Sequence, residues 1–459
     1  MSWAGSRPRR REVVILRSRE GTALDRVKSP IADGGGPHHN RVFGHFVSGH
    51  SEPMSQAAEP KLPQPLPYQQ AVLDYLKTED PAVWQWFAER RSNPELAAAV
   101  RLELLKSTYR IDRHTQEDLY DLAEVVAGQL GLNVPVTFYQ AQHPQGLNAG
   151  LVWLPGEAHL VLSGPVTATL SNIELKALLG HELAHLLLNE GWGGEHLIVS
   201  QMLSTLADDA ASPPSYAATA RLHGLYAELF CDRGAWFVTR DLAATVSVLV
   251  KVSTGLSEVN AESYLRQAEE IFSQGQAKTE GITHPESYIR ARALALWVDQ
   301  GDEAATEIAR MLDGPPELER LDLLNQRRVA DLTRRLIDAL LSPKWFQTPR
   351  VLAHARGFFD QYAPPDANVA DDALPSDIAT PDKALDDYYG YVLLDFVTVD
   401  RDLEELPLAA ALVLSRRLGL AERFKEIVLK ELKLTKKRFN QIESGVEERL
   451  ANVRSRVQR

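Results

Sequence analysis

Residues 171–190 of the chain read SNIELKALLGHELAHLLLNE, and this stretch decides how the middle of the sequence folds. Ser171 and Glu174 are spaced as a capping box, in which the serine hydroxyl accepts from the third amide of a helix and the glutamate reaches back to the first. The leucines that follow recur mostly at spacings of three and four residues, which predicts an α-helix. Gly191 is a typical residue at which such a helix ends.

Two histidines and a glutamate in this helix form the pattern His181-Glu182-Leu183-Ala184-His185. Histidines four residues apart lie on one helix face, so both imidazoles can bind one zinc ion. Zinc lowers the pKa of a bound water to about 7, and Glu182 lies where a carboxylate can accept the proton of that water. The pattern therefore predicts a catalytic zinc site with one ion per chain and Glu182 as the general base.

A catalytic zinc needs a third protein ligand and an open coordination position. A second long helix is predicted over residues 217–238, and Glu228 and Asp232 share one face of it. We predict Glu228 as the third metal ligand and Asp232 as the acceptor of the second N–H of a ligand histidine, His181. Cys231 lies about 60° from Glu228 around the helix, which favours a packed thiol over a ligand.

The remaining sequence predicts an α+β fold that is mainly helical, with a small β-sheet. Apolar residues recur at helical spacing from residue 68 to about 130. Residues 134–139 read as a strand, and residues 151–154 and 159–162 flank the turn Pro155-Gly156-Glu157 as a hairpin. Further helices are predicted to begin near Pro285, to span residues 317–341, and to fill the C-terminal end.

Composition along the chain divides it into six regions. The boundaries follow an Arg, Gly, Ser and Pro-rich beginning, the helical patterns, and an acidic, proline-rich stretch near residue 370. The six regions are a disordered tail (1–65), a helical segment (66–119), the zinc-binding domain (120–315), a helical extension (316–362), an acidic linker (363–383) and a C-terminal helical domain (384–459). Within the zinc-binding domain, residues 191–220 lie between the two predicted ligand helices and are predicted as a lid over the cleft.

Charge and composition exclude several kinds of protein. The net charge of -12 argues against nucleic acid as a partner. A single cysteine excludes an intramolecular disulfide and a cysteine-based zinc cluster. The apolar stretches 242–250 and 392–397 are shorter than the ~18 residues of a membrane span, and the apolar run behind the N-terminal arginines is too short for a signal peptide. We therefore predict a cytoplasmic protein without a membrane span.

Over residues 120–300 the chain resembles the zinc metallopeptidases of the gluzincin class that include the HtpX heat-shock protease and the CAAX prenyl proteases. The resemblance implies a zincin-like domain that cleaves proteins or peptides. Well-known members have membrane helices, whereas this sequence shows none. The chain therefore resembles the soluble branch of the family. The match rests on four elements in the family's order: Asn148-Ala149 before a strand, the motif His181–His185, the pair Glu228 and Asp232, and His284-Pro285 with Arg290.

The resemblance also implies roles for residues outside the metal ligands. His284 would stabilise the tetrahedral oxyanion or position the substrate, and Arg290 would hold the architecture around the metal. An edge strand beside the zinc helix could pair with an extended substrate. The candidate is Ala158–Leu162, with Leu160 and Val161 as substrate-binding residues together with Asn148.

Residues 388–445 resemble the helical TerB-like domains, which implies an interaction module with a protein partner. Two functions remain open from the sequence. The first is a zinc endopeptidase. The second is a zinc-stabilised, non-catalytic protein-interaction module, which the presence of Glu182 disfavours because a structural metal does not require a general base.

Overall fold

A computed structural model describes residues 62–89, 94–142, 146–275, 278–364 and 371–457. The predicted N-terminal tail lies outside these residues, apart from its last four. The described chain is mainly helical with one small sheet, so the predicted fold class is confirmed. Among the described residues, no helix combines the length and the apolar character needed to cross a bilayer.

Twenty α-helices, joined in places by short 3-10 turns, lie in the described part of the chain. They are α1 (Pro67–Glu79), α2 (Pro81–Ala88), α3 (Pro94–Ser107), α4 (Glu117–Gln129), α5 (Val166–Thr169), α6 (Asn172–Glu190), α7 (Glu195–Ala207), α8 (Pro214–Thr239), α9 (Leu242–Thr254), α10 (Ala261–Ser273), α11 (Ser287–Gln300), α12 (Ala305–Asp313), α13 (Leu323–Leu340), α14 (Pro349–Phe358), α15 (Leu374–Ile378), α16 (Lys383–Thr398), α17 (Leu406–Arg417), α18 (Ala421–Glu431), α19 (Lys436–Ser444) and α20 (Val446–Val457).

The sheet has four strands, β1 (Thr108–Arg110), β2 (Val136–Ala141), β3 (Asn148–Leu154) and β4 (Glu157–Ser163), in the order β1-β2-β4-β3. The predicted hairpin is present, because β3 and β4 pair antiparallel with Leu151 opposite Leu160. β4 also pairs with β2 in parallel. β4 is therefore an interior strand, and β3 is the edge strand that packs beside α6.

The capping box predicted at the start of α6 is present. The Glu174 carboxylate accepts hydrogen bonds of 2.8 Å from both the backbone N–H and the hydroxyl of Ser171. The same carboxylate pairs with the buried Lys251 of α9 at 2.9 Å, which offsets the cost of burying its charge. The helix ends at Gly191, as predicted.

α6 and α8 pack together more extensively than any other pair of helices in the described chain. Two glycines lie where they cross. A Cβ on Gly180 would lie 2.5 Å from Val238 and 3.1 Å from the Ala235 Cα, and a Cβ on Gly234 would overlap the Ala184 Cβ. The missing side chains let the two helix backbones approach closely, and this brings the residues of both helices to one site.

One large hydrophobic core joins the sheet to α4, α6, α8 and α12. Helix α7 packs with α1 and α2 in a smaller core that contains the fully buried Ile198, Val199 and Met202. The predicted lid at residues 191–220 is therefore wrong over α7, because a helix that fills a core cannot open as a lid. The predicted helical segment at 66–119 also contains β1, which pairs with β2.

A further core unites residues 329–362, 374–378 and 385–446. The predicted acidic linker is wrong in its described part, because Leu374 and Ile378 are each 1% exposed within this core. Asp371 and Asp377 pair with Arg335 of α13 at 2.7 and 2.8 Å. The helical extension and the C-terminal helices consequently share one interior. The periodicity of the sequence could not show this, since the contacts join distant segments.

Candidate metal centre

The three predicted metal ligands, His181, His185 and Glu228, lie close together where α6 crosses α8. The Nε2 atom of His181 lies 3.5 Å from Oε2 of Glu228, and the Nε2 atom of His185 lies 3.6 Å from Oε1 of the same carboxylate. The two imidazole rings stand nearly perpendicular, with centroids 5.1 Å apart. Two ring nitrogens and one carboxylate therefore face a common point.

The surroundings of the Glu228 carboxylate fit a metal ligand. Its Oε2 atom is buried, and it accepts no well-directed hydrogen bond from the residues that the structure describes. Burial opposes the charge of Glu228, but Arg290 and the two histidines outweigh it and hold the pKa of the carboxyl below its usual range. A buried, ionised carboxylate beside two imidazoles is a donor set that zinc accepts.

Asp232 and Arg290 fix the orientation of His181. Asp232 Oδ1 lies 3.1 Å from His181 Nδ1, and Arg290 donates to both oxygens of Asp232 at 2.8 and 2.6 Å. Arg290 Nη1 also lies 3.3 Å from Glu228 Oε2. With Nδ1 held by Asp232, Nε2 is the ring nitrogen of His181 that faces Glu228 and the common point.

The two histidines differ in their tendency to hold a proton. Burial opposes the charge of His181, but the carboxylates of Asp232 and Glu228 beside it raise its pKa to about 10. Burial lowers the pKa of His185 to about 4, so this ring is neutral near pH 7. A metal ligand must be deprotonated, and binding at His181 would therefore release a proton.

Glu182 lies in the same helix, next to His181 in sequence. The residue is 7% exposed, and burial raises the pKa of its carboxyl to about 7. A hydrogen bond from the backbone of Leu151 in β3 acts in the opposite direction. A carboxyl that titrates near neutrality is suited to accept and return a proton.

Cys231 lies closer to the histidines than its place on the helix indicates. Ligand atoms of His181, His185 and Cys231 all lie within 4.8 Å of one another. The thiol is fully buried, and burial together with the neighbouring carboxylates raises its pKa well above the usual value. Two sets of three ligands are thus available, and Glu228 is favoured because its two oxygens face both Nε2 atoms and its charge is already supported by Arg290.

His284 lies on the solvent side of the centre. Its Nε2 atom is 3.5 Å from Glu228 Oε1, and its side chain is 52% exposed. The side chain of His185, which faces the same carboxylate oxygen, is 28% exposed. The side chains of His181 and Arg290 are each 12% exposed. The centre is thus open on the side of His284 and His185, where a substrate could enter.

The predicted substrate strand is wrong. Ala158–Leu162 belongs to β4, whose neighbours β2 and β3 occupy both of its sides, and Leu160 is fully buried. Leu160 and Val161 therefore cannot pair with a substrate backbone. Of the two edge strands, β3 is the one that packs beside α6, and of the predicted substrate-binding residues only Asn148 lies on it.

Sequence reasoning missed two features that shape the centre. Gly180 and Gly234 set the approach of the helices, and the signal was available, because an isolated glycine inside a helical pattern often has a packing reason. The backbone of Leu151 contacts Glu182, and no signal could have identified it, since any residue supplies a backbone amide.

The chain is similar to one curated metallopeptidase. Over 216 residues it is 27% identical to plastoglobule-localized metallopeptidase 48, a chloroplastic protein of Arabidopsis thaliana, and the match covers 43% of this chain and 61% of the relative's length. No protein-family model matches the chain. No solved structure matches it either. The match therefore spans less than two thirds of the relative's own length.

Proposed function

We propose that this chain is a zinc-dependent endopeptidase in which His181, His185 and Glu228 bind one zinc ion and Glu182 is the general base. The observation that carries the proposal is the Glu228 carboxylate, whose two oxygens lie 3.5 and 3.6 Å from the Nε2 atoms of the two histidines. Asp232 and Arg290 support this arrangement by holding the ring of His181 and the charge of Glu228.

The chemistry divides between the metal and the protein. When bound, zinc polarises the scissile carbonyl and makes water a nucleophile near neutral pH. Glu182 accepts the proton of the attacking water and passes it to the leaving amine, since its pKa of about 7 lets it act in both directions. His284 stands at the open side, where it can donate to the developing oxyanion or position the substrate.

We propose β3 as the substrate-binding strand in place of β4, through the side of β3 that faces away from β4. Among the described strands only β4 pairs with β3, so the other side of β3 can hydrogen-bond to an extended peptide. β3 packs beside α6 and begins at Asn148. Main-chain pairing gives affinity without a strict sequence requirement, which suits a protease that acts on unfolded segments.

From the four sequence elements we infer that the chain belongs with the soluble relatives of the HtpX and CAAX prenyl proteases. We also propose that the TerB-like C-terminal helices bind a protein partner. The Arabidopsis relative is named for plastoglobules, while the cytoplasm remains our proposed location for this chain.

Substitution Glu182→Gln tests the proposal. It removes the proton acceptor but keeps the size of the side chain, so we expect zinc content to stay near one ion per chain and cleavage of an unfolded protein such as casein to fall by about 100-fold or more. Zinc is measured by atomic emission and cleavage by peptide release, each with and without a chelator.

The matched control is Glu262→Gln, which removes the same charge from an exposed position on α10 and should leave cleavage unchanged. A wild-type chain that binds zinc but cleaves neither casein nor a peptide library would overturn the endopeptidase. That result would favour the zinc-stabilised interaction module.

A further inference from the structure

The loop at residues 278–286 carries His284 to the metal centre and is closed by its own hydrogen bonds. Thr279 Oγ1 donates to the Glu286 carboxylate at 2.7 Å, and the same carboxylate accepts from the backbone N–H of Glu280 at 3.0 Å. A Cβ at Gly281 would overlap the carbonyl oxygen of His284. The loop therefore folds back on itself, and only glycine fits at its tightest point.

Arg221 of α8 ties this loop to the helix that carries Glu228. Its Nε atom donates to the carbonyl oxygen of Gly281 at 2.8 Å, and its Nη2 atom donates to the carbonyl oxygen of Thr279 at 3.1 Å. The planar guanidinium holds two carbonyls at once in a fixed geometry, which a lysine ammonium cannot reproduce.

The anchor and the metal ligand share one helix face. Arg221 and Glu228 are seven residues apart, which is close to two full turns of an α-helix. The loop is thus held at one point on α8 while His284 Nε2 reaches to within 3.5 Å of Glu228 Oε1, two turns further along. The His284 side chain is half exposed. Its Nδ1 atom lies 2.9 Å from the hydroxyl of Thr283 in the same loop. The position of the imidazole therefore depends mainly on the backbone of this loop.

We propose that Arg221 is a positioning residue, which holds the 278–286 loop so that His284 stands at the metal centre. This inference rests on the proposed function, because it assigns Arg221 to the same reaction. Arg221 touches neither the metal ligands nor the reacting atoms, and it acts through the backbone at Thr279 and Gly281.

Hydrogen exchange tests the anchor without any activity. In the full-length, metal-free chain, Arg221→Met should raise the exchange rate of the amides in residues 279–284 by about tenfold or more, since two hydrogen bonds from a charged donor are lost. Arg221→Lys should restore only part of the protection. The control Arg266→Met, on the exposed face of α10, should leave these rates unchanged.

A double-mutant cycle tests the route through His284. Arg221→Met should lower kcat for casein-type peptides by about tenfold with KM and zinc content little changed, because a displaced group at the chemical step costs rate. In a His284→Ala background the same substitution should have almost no further effect. Arg266→Met should leave kcat unchanged in both backgrounds.

The outcomes separate the two proposals. A wild-type chain without cleavage refutes the proposed function, while the exchange data still test the anchor. Unchanged exchange in Arg221→Met refutes the anchor. Raised exchange combined with additive losses of kcat in the cycle refutes positioning through His284 and leaves Arg221 with a purely structural role.

Discussion

At the scale of single residues, the central question is which side chain completes the ligand set. Glu228 presents two oxygens to the two Nε2 atoms, and Cys231 brings its sulfur into the same small volume. Zinc binds a thiolate, not a thiol, and in the metal-free chain burial and the neighbouring carboxylates raise the pKa of the Cys231 thiol well above the usual value, so its binding would release a proton. The carboxylate, in contrast, is charged and already paired with Arg290.

We therefore expect Glu228→Gln to weaken zinc binding by more than about 100-fold, which exceeds the usual loss on removal of an outer partner of a ligand. Cys231→Ala should keep one zinc ion per chain and lose only packing. Zinc affinity is measured by competition with a chromogenic chelator. Retention of zinc by Glu228→Gln together with its loss from Cys231→Ala would assign the third position to the cysteine.

At the scale of elements, the metal centre depends on how closely α6 approaches α8. His181 and His185 lie on one helix and Glu228 on the other, so the ligand geometry follows the distance between the axes. Gly180 and Gly234 leave room for backbone-to-backbone contact at the crossing. A methyl group at either position would push the helices apart or force a neighbour aside.

Gly234→Ala is expected to lower the free energy of unfolding by about 1–3 kcal/mol and to weaken zinc binding, because its Cβ would overlap that of Ala184. The matched control is Gly224→Ala in the same helix, where nothing lies within 4 Å of the added Cβ. That change should stabilise the protein by up to about 1 kcal/mol, through helix propensity. Equal stability of the two variants in chemical denaturation would contradict the close-packing argument.

At the scale of the whole molecule, a buried polar cluster joins three parts of the chain. Tyr68 of α1 donates to Asp322, the N-cap of α13, at 2.7 Å. Tyr226 of α8 donates to Asp313, the last residue of α12, at 3.0 Å. The two tyrosine rings stack with centroids 4.6 Å apart. The N-terminal segment, the metal-binding helix and the start of the C-terminal core are linked here.

This cluster makes stability depend on pH. Burial and the nearby Asp322 raise the pKa of Asp313 to about 7, against the hydrogen bond from Tyr226. Between about pH 4 and pH 7 the folded chain retains a proton that the unfolded chain loses. The stability contributed by Asp313 is therefore fully present below about pH 4 and is lost as the pH rises through 7.

Asp313→Asn keeps an acceptor for Tyr226 and removes the titration. At each pH, the gain is the free energy of unfolding of Asp313→Asn minus that of wild type. We expect this gain to be about 2–3 kcal/mol larger at pH 8 than at pH 5. Urea denaturation at the two pH values measures this difference, with the exposed Asp331→Asn as the control. A gain that does not change with pH would show that Asp313 is ionised throughout.

The sequence by itself determined the elements whose signals are local. The capping box at Ser171, the leucine spacing and Gly191 were enough to place α6, and the spacing of His181, Glu182 and His185 followed from the helix repeat. The spacing of Glu228 and Asp232 likewise placed both residues on one face of a second helix. These inferences depend on neighbours a few residues apart, and local geometry fixes such neighbours in advance.

Only the tertiary structure decided the features that depend on contacts between distant segments. The choice of β3 over β4 as the edge strand follows from strand order, which a hairpin pattern leaves open. The burial of α7 and of Leu374 follows from which surfaces meet in the cores, and the presence of Cys231 beside the histidines follows from the close approach of α6 and α8. The free energy of such contacts depends on packing between segments, and no spacing within one segment records it.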